Sequence, residues 1–218
     1  MTTYISNNPE LRQAIKDLYN HKIQPYELAD IYYKNQLYSA ASTYYNWEIY
    51  DLHNCLKIDF QKKSYCFLQL AKCYYNQQKD HHFSNWQLSM IYDMCQEAIS
   101  YDPQNYQAIL LIGLCQIKLE KYKEAYFTYN KFILNLDKYT IQREDYHEIY
   151  NLFLVFFDLC EKFYIIKYEY IYKIMMSFIC NCEELNNFNM INKLHARYQN
   201  HLKRVQPDEI NIIKGNYF

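Results

Sequence analysis

The sequence predicts an all-α protein: a stack of helical hairpins with an N-terminal helix before it and a helical cap after it. Three observations lead there. Only two glycines and four prolines punctuate 218 residues, whereas sheets need frequent turns and turns draw on Gly and Pro. Half of the residues are hydrophobic, ample material for a core, and they recur at helical spacing. Small residues and tyrosines share that spacing, so paired helices can approach at an alanine while tyrosine rings fill the adjoining holes.

Asn8-Pro9-Glu10 is a helix start: a capping side chain, a proline at the first helical position, and an acid that complements the helix dipole. The helix carries on through Leu11, Ile15 and Leu18 to about His21. Pro25 opens a helix–turn–helix that reaches about Ile58, with its break at Asn35-Gln36. This first hairpin carries Ala29, Tyr32, Tyr38, Ala41 and Tyr45, and Ile49, Leu52 and Leu56 keep the helical period of its second helix running late. A second hairpin begins near Gln61, carries Leu68, Ala71, Cys73 and Tyr74, and ends at Ala98-Ile99-Ser100-Tyr101. Its polar stretch from Asn76 to Asn85 is expected to be an inserted surface loop, with Ser84 or Asn85 capping the helix that follows. The third hairpin opens at Asp102-Pro103 and continues through Ile109, Ile112, Gly113, Tyr122, Ala125 and Tyr129.

Residues 138–142 form a linker, with Thr140 as the expected cap of the next helix. Helical patterns follow at about 144–163, 167–182 and 188–205. The first two are apolar almost all round (Leu152, Phe153, Val155, Phe156; Ile171, Ile174, Met175, Phe178, Ile179). They are expected to pack against the third hairpin, closing an end of the stack that would otherwise expose core. The third pattern puts Met190, Ile191, Leu194, Tyr198, Leu202 and Val205 on one side. Lys193, His195, Arg197, Lys203 and Arg204 then form an ordinary solvated basic face. A tail follows from Gln206. The expected organisation is an N-terminal helix in 1–24, three hairpins in 25–137 with an insertion at 76–85, and a helical extension and tail in 138–218.

The order and spacing of Asp102, Pro103, Ile109, Ile112, Gly113, Tyr122, Ala125 and Tyr129 resemble one unit of the tetratricopeptide repeat (TPR) family, a helical hairpin of about 34 residues. The resemblance covers roughly Pro25 to Asp137, strongest in the third hairpin and weakest in the second, where the insertion adds about eight residues to the family period. The first unit departs at Glu48, where the family has an alanine, and at His53, where a proline would end the unit. Such units seldom do chemistry; they stack and present a concave surface to another protein. The layout is similar to that of chaperone-linked TPR proteins, which hold the C-terminal carboxylates of Hsp70 or Hsp90 in a clamp of lysines and asparagines. Two carboxylates need several cationic and amide donors converging on one groove. At the clamp positions this chain has Tyr26, Asp30, Gln69 and Gln107, with Leu111 next in the groove. No clamp lysine remains and Asp30 repels a carboxylate, so Hsp70 or Hsp90 C-terminal peptides are not expected as ligands.

The resemblance instead implies a concave face lined by Tyr26, Asp30, Tyr33, Tyr65, Gln69, Lys72, Gln107 and Leu111. That lining suits a helix or extended peptide from a protein partner, with tyrosines as rigid anchors. The alternative is that these tyrosines pack between hairpins or that the C-terminal helices fill the groove. Twenty-seven tyrosines are either a sticky surface or the imprint of an AT-rich genome.

Other function classes find little support. A net charge of −1 implies no nucleic-acid or anionic-membrane field. No apolar run approaches the ~20 residues that span a bilayer; Leu152 to Phe157 is cut short by Asp158, Glu161 and Lys162. Residues 1–9 show no secretory signal. Cys73, Cys95, Cys115 and Cys160 sit among apolar neighbours and are expected to be buried thiols of a reducing, cytoplasmic setting. Cys180-Asn181-Cys182 with Glu183 and Glu184 is the best metal candidate, but one C-x-C on a helix points its thiols about 200° apart. His81-His82 do not complete a zinc spacing, and no metal is expected. No nucleophile motif or phosphate-cradling glycine loop is present. The carboxylate pairs Glu183/Glu184 and Glu144/Asp145 are expected at solvated helix ends. No catalytic residue and no cofactor are expected. The function expected is a non-catalytic scaffold or adaptor in a larger intracellular complex. The alternatives are a co-chaperone-type TPR adaptor and a component of a ubiquitin-ligase assembly whose catalytic module lies elsewhere, since no U-box is recognisable.

Overall fold

The computed structural model describes residues 8–55, 57–78, 82–162, 169–182 and 188–215, excepting the side chains of 188, 201 and 204–215. The described residues form ten α-helices and no strand. They are α1 (Pro9–Tyr19), α2 (Pro25–Lys34), α3 (Tyr38–Asn54), α4 (Phe60–Gln77), α5 (Asn85–Tyr101), α6 (Tyr106–Lys118), α7 (Tyr122–Leu134), α8 (Tyr146–Lys162), α9 (Glu169–Asn181) and α10 (Phe188–Gly215). The chain divides into two compact units, Met1–Leu119 and Glu120–Phe218. The boundary falls in the turn between α6 and α7, within the third predicted hairpin.

In the first unit each helix packs on the next, from α1 to α6. The helix starts have local chemical causes. Asn8 accepts the Leu11 N–H at 3.2 Å, Asp59 accepts that of Lys62 at 2.9 Å, and Asn105 accepts that of Ala108 at 3.1 Å. Ser84 and Gln87 form a reciprocal capping box at the start of α5. Proline stands in the first turn of α1 and of α2, where its missing N–H costs nothing. The ends of α1 and α2 are closed by one device. The N–H of Lys22 bonds to the Asp17 carbonyl and that of Leu37 to the Tyr32 carbonyl, with His21 and Gln36 between them at φ 55° and 59°. This is the Schellman closure, which favours glycine at the left-handed position; the chain uses histidine and glutamine there.

Two apolar clusters fill the first unit. The first joins Leu11, Leu28, Ala29, Tyr32, Ala41, Tyr45 and Ile49 to Cys66, Leu70 and Cys73. The second joins Leu68 and Ala71 to Leu88, Ile91, Cys95, Ala98, Ala108, Leu111, Ile112 and Cys115. Helix α4 therefore serves both, with opposite sides facing successive layers. The small residues act as the spacing predicts, since Ala29, Ala41, Ala71 and Ala98 are fully buried between helices. Helix α3 runs for 17 residues and ends at Asn54, short of the expected Ile58; Leu56, expected to carry its period, lies outside the described residues. Helix α4 extends through Asn76 and Gln77, two residues into the predicted inserted loop; Lys79, Asp80 and His81 of that loop lie outside the described residues.

The second unit packs α7 against α8 and α9, and α10 against α8 and α9. Phe132, Phe153, Phe156 and Phe157 are buried at its centre. The apolar side of α10 faces inward, with Leu194 and Tyr198 buried, the Tyr198 ring stacked on Tyr172 at 4.0 Å, and Arg197 paired with Asp158. Thr140 does not cap α8. A 3-10 turn at Arg143–Asp145, preceded by Gln142, leads into the helix instead. Helix α10 continues through Gln206 and Pro207 to Gly215, where a tail was expected. Among the described residues no helix is long and apolar enough to cross a membrane.

Candidate functional site

The predicted partner-binding residues come from the first helices of the hairpins: Tyr26, Asp30 and Tyr33 on α2, Tyr65, Gln69 and Lys72 on α4, and Gln107 and Leu111 on α6. Helical spacing sets each group on one side of its helix. The structure joins most of them. Tyr65 donates its hydroxyl to Asp30 Oδ1 at 2.7 Å, and Lys72 Nζ donates to Gln107 Oε1 at 2.8 Å. In both pairs the partners are 35 residues apart, about one hairpin. Asn76, on the last turn of α4, donates to the Tyr33 hydroxyl at 2.8 Å. The rings of Tyr26 and Tyr65 meet edge to face at 6.3 Å, with the Lys62 ammonium 5.2 Å from the centre of the Tyr26 ring. Gln69 is half-buried, one turn from both Tyr65 and Lys72.

Leu111 is placed differently. It is 7% exposed and belongs to the second apolar cluster, so it supports the row from beneath. Its neighbours Leu110 and Ile112 are buried too. A helix apolar on every side offers no period by which to choose the outward residue.

Asp30 is the hub of the row. Tyr45 donates to the same carboxylate oxygen at 2.5 Å, so one acid holds hydroxyls from α3 and α4. Burial, reinforced by the bonds to Asp30, pushes both tyrosines far above their ordinary values. The carboxylate that would repel an anionic ligand is thus committed as an acceptor, and the Lys72 ammonium is bonded to Gln107.

Glu48 stands beside this row. It is 3% exposed, accepts the backbone N–H of Tyr26 at 3.3 Å and pairs with Lys62 at 3.8 Å. The N–H of Tyr26 belongs to the first turn of α2, where no intrahelical acceptor exists. Glu48 therefore fills, with a charge and a hydrogen bond, a place where the repeat resemblance leads one to expect alanine. Burial holds its carboxyl above the ordinary glutamate value, against the opposing pull of the Tyr26 N–H and Lys62. Ser64, 1% exposed, makes a second such link. It donates to the Ala98 carbonyl at 2.8 Å and accepts from Asn105 at 2.9 Å, tying α4 to the end of α5 and the start of α6. Sequence reasoning did not anticipate the linking roles of Tyr45, Glu48, Lys62, Ser64 and Asn76. The one available signal was Glu48, an acid at an expected small position.

Burial pushes the thiols of Cys66, Cys73 and Cys115 up to about 12, which keeps them protonated and poor nucleophiles. Cys180 is exposed and Cys182 buried, so the two sulfurs of the C-x-C face different surroundings. Glu183 and Glu184 lie outside the described residues. Among the described residues no group of three or more His, Cys, Asp or Glu is placed to hold a metal ion. Glu144 is exposed and Asp145 half-buried in the 3-10 turn before α8. In comparisons with known proteins, no family model and no curated protein matches this chain.

Proposed function

We propose that this chain is a non-catalytic interaction scaffold of the TPR type, binding a protein partner through the side-chain row of α2, α4 and α6. The observation that carries the reading is the pair of bridges Asp30–Tyr65 and Lys72–Gln107, both spanning 35 residues. In a stack of repeated hairpins, equivalent helices lie side by side, and bonds between them recur at the repeat length. The Asp30–Tyr65 bond, with that of Asn76 to Tyr33, also holds these two rings still before a partner arrives, which lowers the ordering cost of binding. Half-buried Tyr26, Tyr33 and Tyr65 supply flat apolar area with polar edges, the kind of anchor that a helix or extended peptide packs on.

The test is recovery of partners from cells with the tagged full chain. Gln69→Arg places a long charged side chain in the middle of the row, and Asn192→Arg changes an exposed position of the second unit. The reading predicts that Gln69→Arg loses proteins that the parent chain and Asn192→Arg both retain, at unchanged helicity. Identical recovery by all three chains would contradict it.

A further inference from the structure

The outward side of α5 carries a stripe formed by Trp86, Met90, Asp93, Met94 and Glu97, at i, i+4, i+7, i+8 and i+11. With Phe67 from α4, these residues line an open cavity of about 310 Å³. A second hollow of about 230 Å³ adjoins it, and Trp86 and Met90 line both. Trp86 is 71% exposed. A lone exposed leucine needs no explanation, but an exposed tryptophan between two hollows, beside methionines, has the composition of a binding surface. Tryptophan leads among interface anchors, and methionine reshapes to fit an apolar ligand.

Charge says what kind of ligand fits. Helix α5 contains no lysine or arginine. Its acids Asp93 and Glu97 are exposed on the stripe itself, and neither carries an ion pair among the described residues. Lys63 of α4 is 2% exposed, lies 4.6 Å from the centre of the Tyr101 ring, and forms no ion pair with either acid among the described residues. From Trp86 to Glu97 the stripe covers about 16 Å, three helical turns. That length takes the i, i+4, i+7 anchors of one short helix laid in a groove.

We propose that the Trp86–Met90–Met94–Phe67 groove is a second docking surface, whose occupant is a basic amphipathic helix of a partner protein. Its apolar side covers Trp86 and the methionines, and its lysines or arginines meet Asp93 and Glu97. The surface shares no residue with the α2–α4–α6 row, so each can fail without the other.

The experiment uses the full chain with Trp47→Phe, which leaves Trp86 as the single tryptophan reporter. It is titrated with a helical peptide of about 14 residues built from leucine on one side and lysine on the other, and with the same peptide carrying glutamate for lysine. The lysine peptide is expected to shift Trp86 emission to the blue, with an affinity that weakens as salt rises. Asp93→Asn with Glu97→Gln should weaken it about tenfold, as loss of charges facing a cationic partner does. Trp86→Ala, followed by calorimetry, should abolish binding, and Gln69→Arg should leave it unchanged. An equal response to both peptides would overturn the proposal, as would no response to the lysine peptide or an affinity indifferent to the two acid substitutions.

Discussion

Tyr65 donates its hydroxyl to Asp30 at 2.7 Å across 35 residues of sequence, joining α4 to α2, while Tyr45 fills the same carboxylate oxygen from α3. Removing the acid leaves two hydroxyls without their acceptor; removing all three polar groups leaves none. Asp30→Ala is therefore expected to destabilise the chain by about 3 kcal/mol, because an unpaired buried donor costs its full desolvation. The triple variant Asp30→Ala, Tyr45→Phe, Tyr65→Phe should lose less than Asp30→Ala alone. Urea unfolding followed by circular dichroism measures both, and a triple variant as unstable as the sum of its parts would count against the hub.

Glu48 makes stability depend on pH with a defined sign. Burial first, over the lowering effects of the Tyr26 N–H and Lys62, holds its carboxyl above the ordinary glutamate value. The folded chain then binds that proton more tightly than the unfolded chain. The stability Glu48 contributes is full below the ordinary glutamate value and is lost as pH rises through the raised folded value. The unfolding free energy of the parent minus that of Glu48→Gln should become more favourable to the parent as pH falls from neutral through this window, then level off. Subtracting the variant cancels the other titrating groups. A flat difference, or one of opposite slope, rejects this account of Glu48.

Gln36 sits at φ 59° in the closure of α2, where a side chain meets its own backbone and glycine does not. Gln36→Gly is expected to stabilise the chain by about 1 kcal/mol, since relief of left-handed strain outweighs the added freedom of the unfolded chain. A raised urea midpoint checks it; a lowered one would mean that the Gln36 side chain contributes more than its backbone costs.

The thiols should divide by burial. Cys55 and Cys180 are exposed, and the other six cysteines are buried. A colourless disulfide reagent that releases a coloured thiolate should count two fast-reacting sulfurs in the native chain and the rest only on unfolding. Fast reaction of Cys66, Cys73 or Cys95 would show that the first unit opens more readily than its packing implies.

The starts of α1, α2 and α5 were legible because their causes are local: Asn8 before Pro9, Pro25 itself, and Ser84 before Asn85. The buried small residues were legible because alanine between large apolar residues has few other uses in a packed hairpin. Glu48 was legible only as an acid at an expected small position; its bond to Tyr26 was not, because the two lie 22 residues apart. Tyr45 was legible as a core ring, but its hydroxyl bond to Asp30 spans 15 residues. Leu111 went to the wrong side because α6 buries Leu110, Leu111 and Ile112 together. Thr140 resembled a cap, yet the entry to α8 is made by the 3-10 turn at Arg143–Asp145, which has no strong sequence sign. Local chemistry could thus be read along the chain, whereas links between hairpins needed the fold.

The most direct measurement of the central claim is site-specific photo-crosslinking in cells. A benzophenone amino acid is placed at position 69, between Tyr65 and Lys72, and in a second chain at position 192. The account predicts discrete crosslinked products from position 69 that position 192 does not give, and their loss when Tyr26→Ala and Tyr33→Ala remove the neighbouring anchors. No product from position 69, or the same products from both positions, would contradict a partner-binding role for the α2–α4–α6 row.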